Sequence, residues 1–338
     1  MTKLVSILIP AYSAEKWIAD TIHSALGQTW PKKEIIIVDD GSRDDTLNIA
    51  KTFQSKIVKV ITQKNTGACG ARNKALSLAQ GSYIQWLDAD DLMAPDKISR
   101  QLLDDRYCPE SKQLMSSSFG LFFYRQDKAI FTPSMLWQNL TPIDWIITKF
   151  LHNTWMNPAT WLVSRTLTDI AGIWDERLSL DDDGEYFCRL VAGSEQVVFN
   201  PDAKCFYRIG NYGSLSKGFS DRACESLFLS LSLCIKYLIA LEDSDRTKSA
   251  SVNLLQTWYP YVYPDKVHLM TKFQSHARQL GGQLDLPVLN WKYACIRSLC
   301  GWNAAKYAGR LLPKIKAMSL KYCDYMLYRY SMLKYSPR

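Results

Sequence analysis

The chain has 338 residues, 47% hydrophobic and 22% charged, which is long and apolar enough for one large α/β domain with a smaller appendage and excludes a largely disordered protein. Nine cysteines, an odd number without a Cys-x-x-Cys pair, argue against a disulfide framework or a zinc site and for a reducing cytoplasm. The formal net charge of +8 is unevenly placed, because from Trp291 to the end ten basic residues accompany a single acid, Asp324.

A basic tail of this kind suits anionic lipid, nucleic acid or an acidic protein surface. No zinc-finger pattern or strand interleaving aromatic and basic residues accompanies it, so no nucleic-acid partner is expected. The first ten residues lack the charged flank and small-residue cleavage site of a signal peptide. The densest apolar run, Leu227 to Leu241, is interrupted by Ser230, Ser232 and Lys236, so no membrane-crossing segment is expected. The expectation is a cytoplasmic protein, peripheral on the inner membrane face through its basic C-terminus.

In chain order, Leu4 to Ile9 is an apolar, β-branched run ended by Pro10, the pattern of a strand buried on both faces. Trp17, Ile18, Ile22, Ala25 and Leu26 recur at helical spacing, and Glu34 to Val38 supplies a second strand. A helix at Thr46 to Phe53, a strand at Ile57 to Ile61, a helix at Ala71 to Ala79 and a strand at Tyr83 to Leu87 continue the alternation. This rhythm predicts right-handed crossovers in a doubly wound, mostly parallel sheet flanked by helices. After about residue 110, Leu114 to Tyr124, Trp161 to Val163 and Val197 to Phe199 predict a more mixed half of the same domain. The boundaries read as a domain over 1–220, with a donor half to about 110 and an acceptor half over 111–220, then a helical, basic region over 221–338. Leu227, Leu231, Cys234, Leu238 and Leu241 mark one helical stripe of that region. Pro313 suits the first turn of a last helix whose apolar face is Ile315, Met318, Tyr322 and Met326.

In a doubly wound sheet, ligands bind beyond the carboxyl ends of the strands. The residues found there are Pro10 to Tyr12, Asp39 to Ser42, Lys64 to Gly67 and Asp88 to Asp91, so four polar loops converge on one rim. Asp88 and Asp90, flanking Ala89, can reach one hard divalent cation, Mn²⁺ or Mg²⁺, bridging the phosphates of a nucleotide diphosphate. An Asp-x-Asp alone more often caps a helix or solvates a loop. Context decides between the two readings.

That context is Pro10-Ala11-Tyr12, Ile36-Ile37-Val38-Asp39-Asp40-Gly41-Ser42 with Asp44 and Thr46, Asn65-Thr66-Gly67 with Ala71-Arg72-Asn73, and Leu87-Asp88-Ala89-Asp90-Asp91. In this order the stretch resembles the family 2 glycosyltransferases, which have the GT-A fold, and the resemblance covers roughly residues 3 to 216. It implies an inverting transfer from a nucleotide sugar, with Pro10, Tyr12, Asp39, Asp40, Asn65, Arg72, Asp88 and Ala89 against the donor and Asp88 and Asp90 on the metal. Tyr12 and Asp40 would lie against the base, where a carboxylate can accept the N3 hydrogen of uracil. Arg72, expected to begin a helix, would face the donor's phosphates or sugar. Leu180-Asp181-Asp182-Asp183-Gly184-Glu185 with Arg189 is similar to the family's Glu-Asp element. Counting back from Arg189 selects Asp183 as the base, with Asp182 second. Cys205-Phe206-Tyr207-Arg208 with Ser214-Leu215-Ser216 is similar to its Tyr-Arg stretch, though the histidine that often follows is absent and a third metal ligand stays unassigned. Trp155 and Trp161 are candidate sugar contacts, against the commoner role of tryptophan in a core.

The expected partners are a UDP-linked hexose and a saccharide or lipid-linked acceptor of a surface polysaccharide. The rivals are a non-catalytic glycan- or nucleotide-sugar-binding protein and a nucleotidyltransferase. The latter wants a glycine-rich loop after the first strand, and Pro10-Ala11-Tyr12-Ser13 is not one.

Overall fold

The structure, a computed structural model, describes residues 3–102, 112–210, 220–287 and 291–335. Its centre is β1 (Val5–Ala11), lying between β2 (Lys33–Asp39) and β4 (Tyr83–Trp86), with β3 (Val58–Thr62) outside β2; all four are parallel. Ile7, Leu8, Ile35, Ile36, Ile37 and Ile84 are fully buried, because the crossover helices α1 (Ile18–Leu26), α2 (Thr46–Lys51) and α3 (Ala68–Leu78) leave no solvated face to alternate toward. Pro10 does not end β1, which continues to Ala11. Leu8 accepts from Leu87 on the β4 side, Ala11 accepts from Asp40 on the β2 side, and β4 pairs no further than Leu8. The missing N–H of Pro10 therefore points past the end of β4, where no ladder bond is lost.

Beyond β4 the sheet turns mixed, as the longer, less regular runs predicted. Two-residue β5 (Leu92–Met93) follows the Asp88 loop and α4 (Lys97–Leu102) leads on to β6 (Gln113–Phe122), on which short β7 (Ile130–Phe131) folds back. Then come α5 (Pro142–His152), β8 (Leu162–Ser164), α6 (Arg165–Ala171), α7 (Asp182–Gly193) and β9 (Gln196–Arg208). Strand β8 is antiparallel to β4 and β6, β9 runs parallel to β6, and β5 is antiparallel to β9, giving the order β3-β2-β1-β4-β8-β6-β9-β5. This arrangement brings the end of β9 beside the loop that follows β4.

The remaining helices are α8 (Asp221–Leu241), α9 (Asp245–Val262), α10 (Val267–Gln279) and α11 (Ala294–Tyr335). By length and composition α8 is apolar enough to cross a membrane, with mean hydropathy 1.7, which the sequence reading, stopping at its serines and lysine, did not register. In the fold Leu227, Leu231, Ile235 and Leu238 are buried and the helix packs on α7, α9 and α10. Its serine hydroxyls are used inside the protein: Ser226 serves Leu180, and Ser230 donates to Asp181. Pro313 starts no helix. Helix α11 runs through that position, and its one break lies at Gly301, where φ is +81°.

Candidate active site

The loops after β1, β2 and β3 are tied together by the acids of the Asp-Asp-Gly-Ser segment. Asp39 accepts from the Ser42 amide (3.3 Å) and the Thr62 hydroxyl (2.9 Å). Asp40 Oδ1 accepts from Gln63 Nε2 and the Thr66 amide, while Oδ2, among the described residues, accepts from the Gly67 amide alone, at 2.9 Å. Neither acid caps the following helix; the pair holds the turn and the neighbouring loop. Asn65 is exposed and its side chain donates to the Asp40 carbonyl. Asp44 receives the Thr46 amide and hydroxyl and the Glu15 amide, and Thr46 Oγ1 takes the Ala14 amide, so the loop after β1 is bound to the loop after β2. Tyr12 is 49% exposed on this rim, beside half-buried Pro10.

The Asp88-Ala89-Asp90 loop starts no helix. Thr21 of α1 offers its hydroxyl to the carbonyls of Ala89 and Asp91. From β9, Arg208 donates to the Asp90 carbonyl and the Phe123 carbonyl, both at 2.9 Å, and its amide donates to Asp91 Oδ1. The guanidinium is sandwiched between Trp17 (4.1 Å) and Phe122 (4.4 Å), an arrangement suited to its planar, weakly hydrated cation. Asp91 is fully buried and its Oδ2 has no hydrogen-bond partner among the described residues; burial, with Asp90 and Asp88 nearby, pushes its carboxyl well above the usual range.

Arg72 does not begin a helix, since α3 opens at Ala68 and Arg72 sits one turn in. Its buried guanidinium donates 3.0 Å to Asp88 and 2.6 Å to Asp182, joining the loop after β4 to the first turn of α7. It lies 4.3 Å above Trp174, which stacks on Tyr186 of α7 at 4.0 Å and meets Trp86 of β4 edge-on. An aromatic floor thus supports the carboxylates from both elements.

Asp182 and Asp183 occupy the first turn of α7, where the helix dipole favours anions. Asp183 nevertheless titrates at about 7, raised by burial first and then by Asp182 and Asp181, with Arg72 opposing. Asp181 turns away in a left-handed conformation (φ +60°) and accepts from Ser230. Gly184 makes room for it, because a Cβ there would come 2.1 Å from Asp181 Oδ1. Arg189 reaches neither Asp182 nor Asp183; it pairs with Glu185 (2.8 Å) and the carbonyls of Ala171 and Ile173, fastening α7 to the preceding loop. Trp161 is fully buried and stacks on Phe187, so it is core rather than an acceptor contact. Trp155 is 45% exposed and lies 5.2 Å from the Tyr207 ring. Ser214-Leu215-Ser216 lies outside the described residues.

Residues 6–104 match the model for glycosyl transferase family 2. The chain carries a family 2 glycosyltransferase domain. It is 39% identical over 152 residues to TuaG of Bacillus subtilis, named as a glycosyltransferase of teichuronic acid biosynthesis, covering 44% of this chain and 52% of that one. It is 48% identical over 101 residues to WfaP of Escherichia coli, a UDP-Glc:alpha-D-GlcNAc-diphosphoundecaprenol beta-1,3-glucosyltransferase, covering 30% and 40%. The chain spans about half the length of the curated relatives it matches. Among solved structures, residues 1-349 of TarS from S. aureus in complex with UDP superpose with a TM-score of 0.60 at 17% identity, covering 91% of each chain, which shows the shared GT-A fold.

In this family 2 domain Arg72, Asp88, Asp182 and Asp183 come together from both halves of the sheet, Asp39, Asp40 and Asn65 form a separate network in the loops after β2 and β3, and the structure adds other residues. Tyr207, half-buried, has its hydroxyl pushed well above the usual phenol range by burial and by Asp91, Asp88, Asp183 and Asp90, and so stands among the carboxylates. The sequence marks its stretch as a motif without revealing its place. Trp174 carried no signal, since a lone tryptophan in a loop reads as core. Among the described residues no group of three or more His, Cys, Asp and Glu side chains is arranged to hold a metal. The donor set still suits a hard cation: carboxylate oxygens outnumber the two arginines, and Asp91 and Asp183 are raised by burial first and then by the neighbouring acids. A cation held by Asp88 and Asp90 would relieve that excess of negative charge.

Proposed function

We propose that the chain is an inverting, metal-dependent glycosyltransferase that moves a hexose from a UDP-sugar to a glycan or lipid-linked glycan acceptor in surface polysaccharide biosynthesis. The observation that carries this reading is the Arg72 bridge, which fixes the donor-side carboxylate Asp88 and the base-bearing turn of α7 in one network. Asp183 takes the proton of the acceptor hydroxyl as that oxygen attacks the anomeric carbon from the face opposite the leaving nucleotide; an acid titrating near neutrality is matched to that task. Asp182, held by Arg72, positions it.

On the donor side Asp40 Oδ2, with one amide on it, keeps a lone pair for the uracil N3–H. Tyr12 offers an exposed ring to the base, with Pro10, Asp39 and Asn65 shaping the pocket. Asp88 and Asp90 would hold Mn²⁺ or Mg²⁺, which when bound offsets charge on the departing diphosphate. Arg72, whose guanidinium faces Asp88, would offer an N–H to a phosphate oxygen of the donor. Trp155, beside Tyr207, is the candidate platform for the acceptor sugar. The names of TuaG and WfaP support a cell-surface polymer, a UDP-hexose and a lipid-linked acceptor, and such an acceptor fits work at the cytoplasmic face of a membrane, with the basic C-terminal region against anionic lipid.

The test is nucleotide release from a panel of UDP-, GDP- and dTDP-sugars with an oligosaccharide or lipid-linked acceptor, in Mn²⁺ or EDTA. Release from a UDP-hexose that disappears in EDTA is expected. Transfer from a GDP- or dTDP-sugar would overturn the donor assignment, and absence of binding to every member of the panel would overturn the transferase reading.

A further inference from the structure

Helix α11 presents a long apolar face that the protein itself does not cover. Leu311, Ile315, Met318, Tyr322, Met326 and Tyr330 follow one another at steps of three and four residues and are 39–68% exposed, which places them along one stripe of a helix. Contiguous exposed apolar surface of this kind marks an interaction site. The neighbouring face of the same helix is docked. Asp324 accepts from the amides of Tyr124 (2.9 Å) and Arg125 (3.3 Å) and from Arg125 Nε (2.7 Å). Lys321 donates to the Gly210 carbonyl (2.8 Å), and Tyr325 and Tyr328 pack on the Tyr124 ring. Tyr124 in turn packs on Trp17, whose other contact is the Arg208 guanidinium that holds the Asp90 carbonyl. The outward stripe is therefore rigidly tied to the active-site rim.

Charge identifies what covers it. From Trp291 onward the segment has ten basic residues and one acid, and that acid, Asp324, is turned inward onto Arg125. The stripe thus runs along a segment whose uncompensated charge is all positive. A second copy of this chain would set two such segments against each other, whereas an anionic bilayer would attract both the charge and the apolar side chains, with tyrosines at the headgroup level. We propose that α11 is a membrane-docking helix, lying in the interface of an anionic lipid bilayer along its Leu311-to-Tyr330 stripe while the Asp324 contact holds the catalytic domain against that surface. This deepens the membrane part of the function proposed above.

The experiment is co-sedimentation of the full chain with phosphatidylcholine vesicles, with and without phosphatidylglycerol, at low and high salt, for the native protein and the Tyr322→Asp/Met326→Asp variant. Circular dichroism and titration with UDP accompany each sample. Binding that needs phosphatidylglycerol, weakens at high salt and falls at least about tenfold in the variant, with UDP affinity unchanged, is expected. A native chain that stays in solution, or a variant that sediments as well as the native chain, overturns the proposal. So does a variant that converts a dimer to a monomer without any vesicle binding, which would assign the stripe to a second copy. Loss of UDP binding in every sample would sink the transferase reading without touching the membrane result.

Discussion

Arg72 and Asp182 stand 110 positions apart in the chain and are joined by a 2.6 Å charge-assisted hydrogen bond. Because the same guanidinium also holds Asp88, it is the link between a loop of the parallel half of the sheet and a helix of the mixed half.

Removing that cation leaves acids facing one another. Arg72→Met is expected to destabilise the fold by about 3 kcal/mol, the loss typical when one partner of a buried pair is deleted, and to lower donor affinity. Urea unfolding measures it. A loss under about 1 kcal/mol would mean that solvent already screens the network.

Asp183 makes a pH prediction with a definite sign. Its pKa in the fold, about 7, lies above that of an unfolded carboxylate, so between those values the folded state holds more protons and stability falls as pH rises toward 7. Asp183→Asn should remove that slope and be more stable above pH 7 by roughly 1–3 kcal/mol, while transfer drops by about 10²–10⁴-fold. In the native enzyme kcat/KM should climb with pH to a plateau above about 7. An Asn variant with native activity would hand the base role to Asp182.

The parallel half is legible because continuous apolar strands and the polar residues at their carboxyl ends are local signals, and parallel β2 and β4 put Asp39, Asp40, Asp88 and Asp90 at the same edge of the sheet. What the sequence could not reveal is pairing across the chain. The Arg72 bridge, the Trp174 floor and the Arg208 clamp each join segments at least 100 residues apart and follow from the order of β8, β6 and β9. The spacing that selects Asp183 counts from Arg189, whose own bonds go to Glu185. Pro10 misled because proline ends a strand only where its missing N–H would have met a ladder partner, whereas Pro313, read as the first turn of a helix, lies inside α11.

Arg208 offers a third prediction. Its guanidinium bridges the carbonyls of Asp90 and Phe123, and a lysine, with a single ammonium, does not reproduce a planar fork spanning two acceptors. Both Arg208→Met and Arg208→Lys should reduce kcat/KM by about 10²-fold by loosening the loop that aims Asp90. The amide bond to Asp91 persists in both, so circular dichroism should stay native. Full activity in the lysine variant would show that charge alone matters there.

The central claim is that Asp88 and Asp90 bind a nucleotide diphosphate through a divalent cation. The most direct measurement is calorimetric titration of UDP into the native chain and into Asp90→Ala, each with Mn²⁺ and with EDTA. The expected result is tight binding by the native chain only with Mn²⁺, weakened at least about tenfold by EDTA or by the substitution, with no further loss when the two are combined. UDP affinity that is the same in all four titrations would contradict the claim.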